Sequence, residues 1–311
     1  MDDGNRVARV TEDAKLQGSI PTQNGTGAFN WTLERGTVTT PLENPAGGFP
    51  LYVLSRNNWG QTVGSIDYKA VVWEPSGAVV DMRDRATGRR LLGDARAINE
   101  HSVAVGAGRL EGDTAAPYAR AYRYGYFEGV EYLSPPRTTG HASDINDSGT
   151  IVGAYISILS NGDGRWFIWT RQTGTREMGP GDVYAISDNG HIVGSTNGGQ
   201  GFLYTPQGRT VLLPAGWNPV DVNDWGEVLL TTDHPDIAPP GTCGAAVWYE
   251  GYGLLRLTSP VAGATNCQPA SINSWGDVAG TVSTQPSYRE DNHYSAVVWT
   301  WKSNAYRYVR P

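Results

Sequence analysis

Long apolar runs and an excess of basic charge are the two clearest absences in this sequence. No stretch approaches the roughly 18 consecutive apolar residues of a membrane-spanning helix, so we predict no membrane span. The net charge is −7. Because a polyanion is generally bound by a basic face, we also predict no nucleic-acid partner. The acidic start, Met-Asp-Asp-Gly, does not resemble a signal peptide.

The short motifs of common catalytic sites are missing as well. The sequence contains no Gly-x-Ser-x-Gly, no His-Glu-x-x-His and no phosphate-binding glycine loop. Function must therefore be inferred from the fold and from the residues that its loops bring together.

One nine-residue motif recurs along the whole chain. Its clearest copy is 145–153, Ile-Asn-Asp-Ser-Gly-Thr-Ile-Val-Gly, which indicates the end of a strand, a tight turn and the start of a second strand. Asn, Asp and Gly favour such turns because Gly accepts positive φ and Asx side chains brace the backbone. We call the first residue of each copy its anchor; the anchors are Val10, Arg56, Ile98, Ile145, Ile186, Val222 and Ile272.

Each copy is followed by a short apolar run that ends in an aromatic residue. These residues are Trp31, Trp73, Tyr124, Trp169, Tyr204, Trp248 and Trp299. A glycine turn and a further apolar pair usually follow, so each unit is predicted to contain four short strands, called a, b, c and d.

Seven all-β repeats predict a single seven-bladed β-propeller with four antiparallel strands per blade. The anchors are 36 to 50 residues apart. One four-stranded sheet cannot bury both faces alone, but neighbours in a ring can. We assign the propeller to residues 7–311 and a disordered tail to residues 1–6. The alternative is a β-sandwich with coincidental turns.

The motif Asn-x-x-Gly-x-Val-Val-Gly, followed by Ala-Phe-x-Trp, resembles the repeats of the HAF-type extracellular repeat family. It also resembles the kelch unit, whose second strand ends in glycines. The resemblance covers nearly the whole chain and implies a propeller. It implies little about function, because propellers serve as lectins, scaffolds and enzymes.

The two cysteines bear on the cellular compartment. In a propeller, the b–c and d–a connections share one face, and the a–b and c–d turns share the other. Cys243 and Cys267 fall on the b–c/d–a face of consecutive units, so a disulfide and export to the periplasm or medium are expected. Two unrelated thiols in a cytosolic protein are the alternative.

The long connections all fall on the b–c/d–a face, so we predict the functional site there, at the mouth of the central channel. For an enzyme, a lyase or hydrolase, the candidate acid–base groups are His234, His293, Asp233 and Asp291. Residues that are candidates for ligand binding are Arg56, His141, Tyr155, Asp163, Tyr288 and Arg289.

Arg56 is unusual because the other anchors are Val or Ile. Either its charge points into the central channel, or a twisted or shifted strand turns it towards solvent.

A calcium ion is a further candidate, because Asn-Gly-Asp-Gly at 161–164 faintly resembles a calcium loop. No other metal site is predicted, and the loop lacks the spaced acidic ligands and closing Glu of such a site.

The sequence thus predicts a monomeric, exported propeller that binds a small polar ligand, a glycan or a peptide. An enzyme that uses the same face and a protein-interaction scaffold are the alternatives.

Overall fold

The computed structural model describes most of the chain. The residues described are 6–11, 15–22, 25–32, 34–45, 51–113, 118–159, 164–232, 237–238, 243–259, 261, 266–283, 294–300 and 306–309.

The described residues form 28 β-strands and no helix, in seven consecutive units of four. Units one to three contain β1 (Arg6–Val10), β2 (Leu16–Thr22), β3 (Gly25–Thr32), β4 (Gly36–Pro41); β5 (Leu51–Arg56), β6 (Thr62–Ile66), β7 (Lys69–Trp73), β8 (Val79–Asp81); β9 (Leu91–Ile98), β10 (Val103–Leu110), β11 (Arg120–Gly125) and β12 (Gly129–Tyr132). Units four and five contain β13 (Thr138–Ile145), β14 (Ile151–Ser157), β15 (Arg165–Thr170), β16 (Gly174–Pro180); β17 (Asp182–Ile186), β18 (Ile192–Ser195), β19 (Gly201–Tyr204) and β20 (Thr210–Leu212). Units six and seven contain β21 (Asn218–Val222), β22 (Val228–Thr231), β23 (Ala245–Tyr249), β24 (Gly253–Arg256); β25 (Asn266–Ile272), β26 (Val278–Ser283), β27 (Tyr294–Trp299) and β28 (Tyr306–Val309).

Within each unit, consecutive strands pair antiparallel, as the repeat predicts. Units two and three differ from the rest because a bridge between Lys69 and Leu92 joins them into one eight-stranded sheet. The predicted all-β propeller is confirmed. The count of seven separate blades stays a prediction, because these two units share a sheet.

A β-bulge interrupts the first strand of every unit, just before the anchor. In unit four it lies between Ala142 and Asp144, opposite Gly153 and Val152 of β14. A Cβ built on Gly153 would lie 2.2 Å from the carbonyl oxygen of His141 and 2.8 Å from the Cα of Ala142. The second glycine of the motif therefore makes room for the bulged strand.

The asparagine after the anchor shapes the a–b turn and joins neighbouring units. In unit four, Oδ1 of Asn146 accepts a hydrogen bond from the main-chain N–H of Thr150 at 2.9 Å. Its Nδ2 donates to the carbonyl oxygen of Ser187, the equivalent residue of unit five, at 3.1 Å. The equivalent bonds from one unit to the next are made by Asn57, Asn99, Asn223 and Asn273.

The core lies between units, where apolar side chains of facing sheets meet. Between units two and three, Val63 and Val72 pack in one cluster with Ile98 and Ala104. We call these four positions the interface quartet. The same positions are apolar at the contacts of units four with five, five with six, six with seven, and seven with one.

The ring closes by packing and by side-chain hydrogen bonds. Strand β1 pairs with β2 and packs against β25 and β26 of the last unit. The N–H of Val10 donates to Oγ of Ser271 at 2.7 Å, and Nδ2 of Asn273 donates to the carbonyl oxygen of Thr11 at 3.0 Å. The first strand therefore belongs to its own unit and does not complete the last one.

Cys243 and Cys267 form a disulfide whose Cα atoms are 5.1 Å apart. Both residues are buried, one just before β23 and the other in β25. The bond therefore links unit six to unit seven, and it is compatible with an exported protein. The described residues include no helix that is long and apolar enough to cross a membrane.

Candidate functional site

A cavity of about 280 Å³ lies on the propeller axis, at the end where the a–b turns meet. Its wall is built from the first strands of the units and from the turns that follow them, so equivalent positions of the repeat face one another across it. We call this space the axial cavity. It lies at the a–b/c–d end of the channel, whereas the sequence directs attention to the opposite, long-loop face.

Two carboxylates, Asp144 and Asp221, stand at equivalent positions in the wall, each just before its anchor. The oxygens of Asp144 accept from the N–H of Ile145 at 2.8 Å and from that of Ile186, in the next unit, at 2.9 Å. Asp221 accepts in the same way from the N–H groups of Val222 and Ile272, at 2.8 and 2.9 Å. Each carboxylate thus satisfies unpaired N–H groups on the inner edge of the sheets.

Burial is the main reason why the pKa values of both carboxyl groups are raised. It raises the pKa of Asp144 to about 7, against the opposing effect of the hydrogen bond from Ile186 and with a further increase from the charge of Asp221. Burial likewise raises the pKa of Asp221 to about 6. Both carboxyl groups are therefore weaker acids than an ordinary aspartate.

Further acidic residues surround the turn-side mouth of the axial cavity. The N–H of Glu100 donates to Oδ1 of Asp147 at 2.9 Å, and the N–H of Asp147 donates to Oδ1 of Asp188 at 2.8 Å. Asp224 lies in the equivalent turn of unit six. Nη1 of Arg9 is 3.5 Å from Oε1 of Glu100 and donates to a main-chain carbonyl of unit two. Acidic groups thus predominate at this mouth.

His141 is the one predicted histidine that the structure describes, and it lies in strand β13, not in a loop. Its Nε2 is 3.3 Å from Oδ1 of Asp182, which occupies the same position of the repeat in unit five. Burial acts to raise the pKa of Asp182, but the hydrogen bond and charge of His141 outweigh it, so that the pKa lies below its usual range. The pair links two units away from the a–b turns.

Tyr155 lies in β14 and belongs to a different cluster from His141. Its hydroxyl donates to Oε2 of Glu177 at 2.7 Å, and Nη1 of Arg165 is 3.0 Å from Oε1 of the same carboxylate. Burial, the hydrogen bond and the nearby negative charge raise the pKa of Tyr155 to about 12. Its hydroxyl is therefore held as a donor on the sheet surface of unit four.

Both sequence alternatives for Arg56 are wrong. Its strand keeps the register of the other units, with Arg56 opposite Thr62. The side chain is only 4% exposed, so it does not point to solvent, and it does not line the axial cavity. Packing between units decides this, because the anchor position faces the preceding unit. Burial lowers the pKa of Arg56.

The remaining predicted site residues lie outside the described part of the chain. They are Asp163, Asp233, His234, Tyr288, Arg289, Asp291 and His293. The catalytic assignment and the calcium loop therefore stay predictions. Among the residues that are described, no group of three or more His, Cys, Asp or Glu side chains is arranged to hold a metal ion.

Sequence reasoning missed Asp144 and Asp221. A signal was available, because an aspartate directly precedes the anchor in Ser-Asp-Ile-Asn at 143–146 and in Val-Asp-Val-Asn at 220–223. Its meaning depends on knowing that this position faces the axis.

Comparison with solved structures supports the propeller. A streptogramin B lyase aligns with a TM-score of 0.55 and 10% identity over 89% of this chain and 90% of its own. The propeller domain of the Trilobed protease from Pyrococcus furiosus, described as having an open velcro topology, aligns with a TM-score of 0.51 and 10% identity over 96% and 94%. An acylaminoacyl peptidase from Pyrococcus horikoshii aligns with a TM-score of 0.50 and 12% identity over 96% of this chain and 50% of its own. At such identities the likeness shows the fold alone.

No protein-family model matches the chain, and no curated protein matches it significantly.

Proposed function

We propose that this protein is a ligand-binding propeller and that a small polar ligand occupies the axial cavity. The observation that carries the proposal is the cavity of about 280 Å³ on the axis, walled by polar groups at equivalent positions of the repeat. A rigid ring that holds such groups around a concavity is a common way to build a small-molecule site. The long-loop face remains a second location predicted from sequence.

The charges at the mouth define the class of ligand. Asp147, Asp188 and Asp224 stand there with Asp144 and Asp221 deeper in the wall. These carboxylates outnumber the two arginines of the lining, Arg9 and Arg96, so the field favours a ligand that carries a positive charge. Their oxygens accept hydrogen bonds from hydroxyl or ammonium groups. An amino sugar or another hydroxylated amine combines both features.

Calorimetric titration with glucosamine, glucose and glucuronate tests this proposal. We expect saturable binding of glucosamine, weaker binding of glucose, and at least about tenfold weaker binding of glucosamine by the double variant D188N/D224N. Asparagine keeps one acceptor oxygen for the main-chain N–H groups of Asp147 and Asn189. It removes the charges and also the second oxygen of Asp224, which accepts from Oγ of Ser274.

The matched control is D67N, because Asp67 lies on the b–c turn of unit two, at the other end of the sheet, and pairs with Lys69. This variant should bind glucosamine as the unaltered protein does. Equal affinities of D188N/D224N and the unaltered protein, or no saturable binding at all, would refute the axial site.

A second candidate function is acid–base catalysis in the same cavity, which the pKa of about 7 for Asp144 favours. A general acid or base is most effective when its pKa lies near the working pH. The test is a panel of chromogenic esters and glycosides, with a pH–rate profile. Catalysis by Asp144 requires an inflection near pH 7 that disappears in D144N, and a rate that persists in D144N excludes it.

A further inference from the structure

Three tryptophans stand at the same position of the a–b turns, three residues after the anchor. Trp59, Trp225 and Trp275 belong to units two, six and seven and are 70%, 66% and 57% exposed. Tryptophan side chains are on average largely buried in folded proteins, because so much of their surface is apolar. Three equivalent rings left in solvent therefore require an explanation other than core packing.

The a–b turn does not need the tryptophan for its shape. Unit four has Ser148 at this position, and its turn closes with the N–H of Gly149 donating to the carbonyl oxygen of Asn146 at 3.0 Å. In unit six, the N–H of Gly226 donates to the carbonyl oxygen of Asn223 at the same distance. The turns with and without the ring thus make the same hydrogen bond.

The indole rings are held in place by their N–H groups. Nε1 of Trp225 donates to the carbonyl oxygen of Ser274 at 2.8 Å, and Nε1 of Trp59 donates to that of Glu100 at 2.9 Å. Both acceptors lie in the a–b turn of the next unit. The polar group of the ring is therefore already used, and the surface left exposed is apolar. A ring fixed in this way loses little conformational entropy when a ligand covers it.

Carboxylates occupy the neighbouring part of the same face. Each stands two residues after its anchor and accepts a main-chain N–H from the preceding unit, at 2.8 to 3.0 Å. We call these four residues of units three to six the acidic arc; they are Glu100, Asp147, Asp188 and Asp224. Asp188 is exposed, and Asp147 and Asp224 are half-buried, so a ligand can reach them from solvent.

The aromatic rings and the acidic arc meet at the mouth of the axial cavity. Asp224 and Trp225 are consecutive, and Trp59 contacts Glu100 at the other end of the arc. Asp224 and Ser274, the residues directly before Trp225 and Trp275, line the axial cavity itself. The rings therefore begin where the wall of the cavity ends.

We propose that this mouth binds a chain of amino sugars. The inference rests on the proposed axial site, which holds one sugar of the chain. Further sugars place the apolar face of the pyranose ring against Trp225 and Trp275, as flat aromatic surfaces allow. Their ammonium groups are attracted by the acidic arc and by the faces of the indole rings. Charge complementarity thus selects a cationic glycan over a neutral one.

Calorimetric titration at mildly acidic pH, where the amines are protonated, compares glucosamine with its β-1,4-linked trimer. Cellotriose is the neutral counterpart of the trimer, and trilysine is a cation without sugar rings. We expect the trimer to bind at least about tenfold more tightly than glucosamine or cellotriose.

Variants of the two tryptophans test the role of the rings. W225S and W275S introduce the residue that unit four has at this position, so both should fold. Each should weaken binding of the trimer at least about fivefold and change that of glucosamine by less than about twofold. W225F keeps a ring and loses the N–H, so it should bind the trimer more tightly than W225S does.

The matched control is Y68N. Tyr68 is 84% exposed on the b–c turn of unit two, at the other end of the sheet, and its φ of +58° is one that asparagine accepts. This variant should bind the trimer as the unaltered protein does.

The ratio of trimer to glucosamine affinity decides the outcome. A ratio near one in the unaltered protein, the same ratio in W225S and W275S, or trimer binding by W225F no tighter than by W225S overturns the inference. Equal affinity for trilysine also overturns it and would show that this face takes basic peptides. Failure of the axial site is seen separately, as absence of glucosamine binding. Trimer binding that is lost in W225S would then still support the aromatic part of the mouth.

Discussion

The side-chain amide of Asn223 donates a hydrogen bond to the main-chain carbonyl of Asn273 at 2.9 Å, across the boundary between units six and seven. The Oδ1 of Asn223 accepts at the same time from the N–H groups of Trp225 and Glu227, at 3.1 and 3.0 Å. One buried side chain therefore shapes its own turn and fastens the next unit. This double use explains why asparagine follows the anchor in five of the seven copies.

Replacing Asn223 with alanine should lower the free energy of unfolding by about 2–3 kcal/mol, because it leaves buried main-chain groups without partners. Urea denaturation of the unaltered protein and N223A measures the loss. N58A is the matched control, since Asn58 is exposed and its side chain takes no part in shaping its turn. It should change stability by less than about 0.5 kcal/mol. Similar losses in the two variants would contradict this role of the buried asparagine.

The two glycines of the motif should respond differently to alanine. Gly149 has φ of +80° and open space around its Cα, so G149A should cost only about 1 kcal/mol of backbone strain. In G153A the new Cβ meets main-chain atoms of the bulged strand, and we expect a loss of roughly 3 kcal/mol or more. Thermal or urea unfolding of both variants checks the order. A larger loss for G149A would show that the bulge does not require the second glycine.

The axial aspartates predict a dependence of stability on pH. Burial raises the pKa of Asp144 to about 7 and that of Asp221 to about 6, above the value near 3.9 of an unfolded aspartate. The folded state therefore binds protons more tightly than the unfolded one, and the stability contribution of protonation is lost as pH rises from about 4 to 7.

Urea unfolding at several pH values between 4 and 8 measures this effect. These two groups should contribute a decrease of up to a few kcal/mol across that range. In D144N the decrease should be smaller, because only Asp221 still titrates there. The same slope in D144N and the unaltered protein would show that Asp144 does not titrate in this range.

The disulfide should stabilise the contact of units six and seven. Cys243 and Cys267 are 24 residues apart and both are buried. Reduction, or the double variant C243S/C267S, should lower the free energy of unfolding by roughly 3 kcal/mol, mainly through the freedom that the unfolded chain regains. Unfolding with and without dithiothreitol measures this difference. A dithiothreitol effect that persists in C243S/C267S would have to arise elsewhere.

Much of the fold follows from local patterns that can be read in the chain. Asn146 and Gly149 mark a turn because one braces the backbone and the other accepts positive φ. The first and second strands on either side were predictable for the same reason, and so was the aromatic end of the third strand. The bulge opposite Gly153 was not predicted, although the glycine that recurs at this position is required by the bulge. A sequence pattern records where a glycine is needed but not which backbone approaches it.

The site residues were less accessible to prediction. His141 was singled out as a candidate for ligand binding, which stays a prediction, and its partner Asp182 belongs to the next unit. Arg56 was recognised as exceptional, yet neither direction foreseen for it was right. The inference failed because the anchor faces the preceding unit. The sequence of one unit does not show which residues of the neighbouring unit will pack against it.

Sequence alone determined the repeated strand–turn–strand pattern, the all-β class and the position of each turn, because these depend on the conformations that single residues allow. Only the tertiary structure decided that Asp144 bridges two units, that Arg56 is buried without a counter-ion among the described residues, and that a polar cavity lies at the a–b end of the axis. Those properties arise from contacts between units, and burial and electrostatics depend on every neighbour that folding brings close.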